Sequence, residues 1–162
     1  QDKKCLLSCS IIHKDRVKYS ENQMLEEFNK QKFKFINDSK IEGGCSLKRP
    51  DFIFDLGFGI LIIENDENQH KSRACECEQT RMIQIFQDYG GLSVHFLRFN
   101  PDRYKSNKPQ EVLGKRLLYL SGLVKKIKKD NNFFIRNSLL TVSYLYYDNY
   151  DGIWSIDKIN YE

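Results

Sequence analysis

With 162 residues, 40% of them hydrophobic and 13% aromatic, the chain is long enough for one domain with a proper core. The 26 Lys and Arg against 22 Asp and Glu leave a mild net charge of +4, clustered rather than spread, which suits a polyanionic partner without demanding one. No stretch approaches the roughly 18 apolar residues of a membrane span, no signal-peptide pattern opens the chain, and the cysteines number five at irregular spacing, so a secreted disulfide scaffold and a membrane partner are excluded.

A soluble, intracellular protein is therefore expected. The chain starts at Gln1, as a piece of a longer protein would. Residues 1–19 form a basic lead-in containing Cys5-x-x-x-Cys9-x-x-x-His13, the edge of an upstream module. Two readings stand for it: half of a zinc site, or small buried thiols beside an exposed histidine. Residues 20–162 are expected to form one domain, with a core over 20–104 and a C-terminal extension over 105–162.

Ser20 is a good N-cap and Glu21 falls in the first turn, where the helix dipole favours an anion. Met24, Leu25 and Phe28 continue as an apolar stripe to about Gln31, giving a helix of about three turns. Phe33 to Asn37 alternates in part and reads as an edge strand or an extended lead-in. A flexible loop over 41–46 leads to Lys48-Arg49, placed to hold a phosphate backbone or to neutralise nearby acids.

Two apolar runs follow, Phe52 to Leu56 and Ile60 to Ile63, separated by Gly57-Phe58-Gly59, and they predict a two-stranded antiparallel hairpin. Side chains alternate along a strand, so Asp51, Ile53 and Asp55 share one side of the first run and Ile62, Glu64 and Asp66 one side of the second. If those sides coincide, at least three acids meet. Clustered carboxylates at the end of an apolar strand raise one another's pKa, and a hard divalent cation relieves the cost: Mg²⁺ takes one or two carboxylates and leaves positions for water and phosphate. The other reading is a strand that happens to start at Asp51 and a solvated acidic turn at Glu64 to Asn68.

After His70 and Lys71, Cys75 and Cys77 precede a helix that buries Met82, Ile83, Ile85, Phe86 and Tyr89 and ends at Gly90-Gly91. Arg81 on that helix either reaches back to the acids, binds a phosphate or stands as a surface arginine. Leu92 to Phe99 reads as a buried strand stopped by Asn100-Pro101-Asp102, joined by a right-handed crossover and running parallel to a neighbour, with His95 as a core or surface histidine. Glu111 to Lys129 repeats apolar residues at helical spacing, with Lys115, Arg116, Lys125 and Lys126 on a basic side that is either solvated or a DNA-backbone contact. Phe133 to Tyr161 predicts a β-hairpin turned near Asp151-Gly152, its aromatics completing the core or stacking on unpaired bases. The fold class expected is α/β (α+β), a mixed sheet flanked by helices with a C-terminal helix and hairpin.

Pro50-Asp51, followed by a strand ending in Glu64-x-Asp66-x-x-x-His70, resembles the core of the PD-(D/E)xK, or restriction-endonuclease-like, superfamily. Within it the chain is most similar to the very short patch repair endonuclease branch and related homing endonucleases, as found in nuclease domains of giant DNA viruses and protists. Glu78-x-x-Arg81, Gly90-Gly91 and the strand at Val94 follow the same branch. The resemblance runs from the twenties to about residue 104. It implies Asp51 as central metal ligand, Glu64 as second acid, Asp66 beside them, His70 as polariser of water or phosphate, and Glu21 as an additional acid. It also implies DNA as partner, Mg²⁺ or Mn²⁺ as cofactor, and a structural Zn²⁺ for which Cys75, Cys77 and Cys45 are candidates. Two departures stand out: Asp66 or Asn68 occupies the place of the motif lysine, and Glu67 that of a family glycine.

The expected function is that of a Mg²⁺-dependent DNA endonuclease, with Lys48, Arg49, Lys71, Arg81, Lys115, Arg116, Lys125 and Lys126 contacting nucleic acid. The departures support an alternative, an inactive nuclease-fold module that binds nucleic acid or a protein. Cutting a palindrome would require a homodimer, and a nucleus or a viral factory would be a natural setting.

Overall fold

Residues 19–41, 43–45, 48–70 and 75–161 are described by the computed structural model. Cys5, Cys9, His13 and Lys71 lie outside these residues. The chain is helical from residue 19 to residue 30 (α1), and continues through β1 (Ile36–Asn37), β2 (Phe52–Asp55), β3 (Ile60–Asn65), α2 (Cys75–Asp88), β4 (Val94–Phe99), α3 (Leu113–Lys129), α4 (Phe133–Arg136), β5 (Leu140–Leu145) and β6 (Asp157–Lys158). The strands make one mixed sheet in the order β1-β2-β3-β4-β5-β6. β1, β2 and β3 pair antiparallel, β3, β4 and β5 parallel, and β5 and β6 antiparallel.

The hairpin forms as its alternation predicts, with Phe52 opposite Ile63 and Asp55 opposite Ile60. Gly57 at φ 76 supplies the left-handed turn residue, and Gly59 leaves room for a neighbour: a Cβ there would stand 2.3 Å from the Phe134 ring. β3 and β4 are buried along their whole length because helices cover both faces of the sheet, so their residues read as near-continuous apolar runs.

One face carries Phe52, Phe54, Leu61, Ile63, Leu97 and Phe99 under α1 and α3. The other carries Ile53, Ile62, Val94, Phe96 and Val142 under α2. Met24 and Phe28 are fully buried one turn apart on α1, and the Phe28 ring meets Phe33, Phe35, Phe52 and Phe54 at centroid distances of 5.1–5.8 Å. Burial of such a ring contributes about 1.5–3 kcal/mol, and its edge-to-face neighbours add to that. α1 closes on Lys32 in the left-handed region, where Phe33 N–H returns to Phe28 O at 3.1 Å.

Phe33 to Asn37 is the expected extended lead-in and edge strand: Phe33 and Phe35 turn inward against Phe28 while Lys34 and Ile36 face out, and only Ile36–Asn37 pairs, as the edge strand β1. The expected C-terminal hairpin is present as β5 and β6, antiparallel with Thr141 opposite Lys158, and β5 in addition pairs parallel with β4 in the central sheet. Leu117, Leu120, Phe133 and Leu145, from residues 105–162, share one core with Met24 and Phe28. α2 and α3 lie on opposite faces while both connections step the same way across the sheet, so the two parallel crossovers have opposite hands.

Candidate active site at the carboxyl ends of the parallel strands

β3, β4 and β5 are parallel and finish in register, with Asn65 beside Phe99 and Phe99 beside Leu145. Their following segments are tied together. Asp66 N–H donates to Phe99 O at 2.7 Å and Asn100 N–H to Leu145 O at 3.0 Å. Asn68 N–H donates to Asp102 Oδ2 at 2.9 Å, and the Gln69 and Asp148 side chains bridge the first and third segments. Open α/β sheets bind ligands at this edge, beyond the carboxyl ends of their strands. Asn68, Gln69, Tyr146 and Asn149 all adopt positive φ there, a conformation that costs a non-glycine residue free energy and that collects at functional edges.

Asp51 enters this edge from the hairpin. Its carbonyl accepts from Asp38 N–H and from Asn37 Nδ2, both at 2.9 Å, which fixes the backbone just before β2. The β2–β3 register, with Phe52 opposite Ile63, places Asp51 opposite Glu64 on the α2 face. The two carboxylate sides therefore coincide. Asp51 Oδ2 accepts from Asn65 N–H at 2.7 Å.

Burial raises the Asp51 carboxyl to about 7, opposed by the Asn65 N–H and assisted by the charges of Glu21 and Asp66. Burial also raises Glu64 to about 8, with the Asp51 charge adding to it and Arg81 opposing. Glu21, at the start of α1, belongs to the cluster through this field. Arg81 Nη2 donates to both Glu64 oxygens, at 3.0 and 3.2 Å, so of the readings open for Arg81 the reach back to the acids is the one realised.

Asp66 is fully buried beyond Glu64. It accepts from Arg98 Nε at 2.5 Å and Nη2 at 2.9 Å, and from the Tyr147 hydroxyl. Arg98 Nη2 also donates to Glu78 of α2 at 2.5 Å. Burial works against the Arg98 charge, but the Asp66 hydrogen bond and the surrounding acids outweigh it and hold the guanidinium firmly protonated. Glu78 belongs to the Glu78-x-x-Arg81 pattern without an assigned role, while Arg98 and Tyr147 are not among the expected site residues. A signal existed for Arg98, a lone charge within the otherwise apolar Leu97-Arg98-Phe99.

On the opposite face, Glu67 accepts from Ser20 Oγ at 3.1 Å and Asn65 Nδ2 at 2.8 Å, while Asn65 Oδ1 is buried without a partner. Burial raises the Glu67 carboxyl. His70 closes the short turn Glu67–His70 after β3, and its side chain lies outside the described residues.

Hard oxygen donors and raised carboxyl pKa values suit a Mg²⁺ or Mn²⁺ ion at Asp51 and Glu64. Among the described residues, no three His, Cys, Asp or Glu side chains converge as one metal-holding group. Asp66 is turned toward Arg98 and Tyr147. One or two protein carboxylates suffice for Mg²⁺ when water and phosphate complete its sphere, so the Asp51–Glu64 pair fits the ion.

Cys45 and Cys77 are not brought together. Cys45 N–H donates to Asp88 Oδ1 at the end of α2, whereas the exposed Cys77 lies near its start, separated by about 16 Å of helix at ~1.5 Å per residue. Cys75 falls in the same helix and its side chain lies outside the described residues.

Of the basic residues, Lys48 is half-buried and Arg49 pairs with Asp38 at 3.2 Å. Lys115, Lys125 and Lys126 are exposed on α3. Arg116 is not a surface cation. It is buried and donates to the carbonyls of Asn100, Pro101 and Asp102 at 2.8–3.1 Å, which fixes the loop after β4 and withdraws it from any phosphate. His95 is a core histidine: burial lowers it to about 3, and it lies 2.8 Å from Thr141 Oγ1 and 3.3 Å from Ser143 Oγ. Among the described residues, no helix is long and apolar enough to cross a membrane.

Comparison of the chain with protein-family models, with curated proteins and with solved structures returned no match.

Proposed function

We propose that the protein is a metal-dependent endonuclease that hydrolyses phosphodiester bonds in DNA at the Asp51–Glu64 pair. The observation that carries the reading is the facing of a half-buried and a buried carboxyl, Asp51 raised to about 7 and Glu64 to about 8, at the carboxyl edge of a parallel sheet. Burying two acids against each other destabilises a fold unless a cation or a proton occupies the space between them. The resemblance of Pro50-Asp51 and Glu64-x-Asp66 to the restriction-endonuclease-like core supports the same chemistry.

Bound at the pair, Mg²⁺ or Mn²⁺ supplies acidification of water and neutralisation of charge on the phosphate. Asp51 and Glu64 hold the ion, and the Asn65 N–H keeps Asp51 oriented. Arg81 stands against Glu64 with a guanidinium able to accept a phosphate as a second anion, the role a motif lysine would otherwise take. Hydrolysis of this class leaves 5′-phosphate and 3′-hydroxyl ends.

A second reading is favoured by one observation: Arg81 and Arg98 already pair with Glu64 and Asp66. In that reading the fold binds nucleic acid, or a protein partner, without cutting. Incubation with supercoiled plasmid in Mg²⁺, in Mn²⁺ and in EDTA separates the two. Nicking or linearisation that needs the cation supports the endonuclease. An intact plasmid in both metals, retarded on a gel by the protein, supports the binding module.

A further inference from the structure

Tyr146 and Tyr147 follow β5 as neighbours in the chain and serve opposite faces of the sheet. Tyr147 donates to Asp66 in the acid cluster, while Tyr146 turns to the α3 face and lines a cavity of about 360 Å³. That volume is within the ~300–1,000 Å³ of small-ligand sites. Its walls include Tyr104, Tyr119, Tyr146 and Tyr150, with Lys108 and Glu111 beside them.

The rings are set as a rigid group. Tyr146 meets Tyr150 at 5.0 Å, Tyr104 at 6.0 Å and Tyr119 at 6.4 Å between centroids, and the Arg116 guanidinium stands 5.3 Å from the Tyr146 ring. Asn149 N–H donates to Lys105 O at 2.8 Å, joining the two loops that carry these rings. The Tyr150 hydroxyl is buried beside that of Tyr119. Tyr119 also lines an adjoining groove, which continues along α3 past Leu118 and Gly122 to Lys126 and Trp154. In that groove the Lys126 ammonium lies 5.2 Å from the Trp154 ring.

Aromatic walls edged by tyrosine hydroxyls suit a planar, polar-edged ring, and Glu111 disfavours an anion inside. Exposed lysines on the adjoining helix suit the phosphates that such a ring would trail. Aromatic platforms flanked by cations are how proteins hold unpaired strands.

We infer that the tyrosine cavity is a subsite for an unpaired nucleobase, belonging to the strand whose phosphodiester lies at Asp51 and Glu64, with the groove along α3 holding the neighbouring nucleotides. The inference rests on the endonuclease reading for the identity of that strand. Base binding itself is read separately.

The test measures the affinity of the whole protein for a fluorescent single-stranded oligothymidylate, and for the same oligomer with abasic sugars, by anisotropy in EDTA. Tyr119→Ala should weaken binding of the thymidylate by about 5- to 150-fold, the loss of one stacked base at ~1–3 kcal/mol. Tyr119→Leu, which keeps apolar bulk without the aromatic face, should weaken it similarly while preserving the melting temperature. The abasic oligomer should bind the parent weakly and be indifferent to both changes. Equal affinity of parent and both variants, or equal affinity for the two oligomers, would overturn the subsite. A parent that cuts no plasmid but shows the Tyr119 dependence would defeat the endonuclease reading and leave the subsite standing. Cation-dependent cutting with no Tyr119 dependence would do the reverse.

Discussion

Arg98 of β4 reaches diagonally to Asp66 at the end of β3 and grips both of its oxygens, Nε at 2.5 Å and Nη2 at 2.9 Å, with neither side chain exposed to any extent. Glu78 brings α2 onto the same guanidinium and Tyr147 brings in the segment after β5. The Arg98–Asp66 pair thereby ties three parallel strands and a helix at the edge where the acids lie.

Removing that arginine should be costly. A buried pair contributes little over a well-packed apolar substitute, but a single buried charge left alone destabilises by ~3–5 kcal/mol. Arg98→Met is expected to lower the unfolding free energy by about that amount in a urea titration, and adding Asp66→Asn should restore part of it. A loss under ~1 kcal/mol in the single variant would mean that Asp66 has another cation.

The acid pair predicts a pH dependence of definite sign in EDTA. Asp51 rises from its ordinary 3.8 to about 7 on folding, and Glu64 from 4.5 to about 8. A carboxyl raised on folding favours the native state when protonated, so its contribution is complete below the ordinary value and is lost as pH climbs through about 7 and 8. Asp51→Asn abolishes one of these titrations. Relative to the parent, the variant should gain on the order of 3 kcal/mol from about pH 4 to pH 8, at ~1.4 kcal/mol per unit. Comparison of the two proteins cancels the opposite slope of His95, which burial keeps neutral. Parallel stability curves would contradict the facing of the two acids.

A divalent ion should compensate for the same repulsion. At a concentration a hundredfold above its Kd, Mg²⁺ or Mn²⁺ is expected to raise the parent's Tm by roughly 5–10 °C near pH 8, and by less near pH 6, where protons compete for the carboxylates. Asp51→Asn should show almost no response. Differential scanning fluorimetry in matched buffers reads both effects, and an equal shift in parent and variant would place the ion elsewhere.

Gly59 tests the packing under the hairpin. Its missing Cβ leaves space for the Phe134 ring, and Gly59→Ala forces that ring or the β2–β3 turn to move. The expected loss is ~1–3 kcal/mol by denaturant titration. The double variant Gly59→Ala, Phe134→Leu should lose less than the two single changes summed, because they share one space.

Much of this arrangement was legible in local pattern. Period-two alternation found β2 and β3 and put Asp51 on one side of the first and Glu64 on one side of the second, while the register that makes those sides coincide came from the structure, and helical spacing found α2 and α3. What escaped was non-local. The hairpin of β5 with β6 is local, but the parallel pairing of β5 with β4 joins residues about 45 apart in the chain, and no local period encodes it. Arg116 looks like a solvated helix cation, since only the carbonyls of the loop after β4 reveal that it is buried. The tyrosines after β5 read equally well as core or as platform until the cavity between them is seen.

The measurement that bears most directly on the endonuclease reading is single-turnover cleavage of supercoiled plasmid by the parent, Asp51→Asn, Glu64→Gln and Asp55→Asn in Mg²⁺ and Mn²⁺. Asp55 is exposed at the far end of β2, where it only accepts from Gly57 N–H, and serves as the control. The account predicts cation-dependent cutting by the parent and Asp55→Asn, and a loss of at least about a hundredfold in each of the other two, since removal of one preorganised electrostatic group costs ~10²–10³ in rate. Cutting at the parental rate by Asp51→Asn would contradict it.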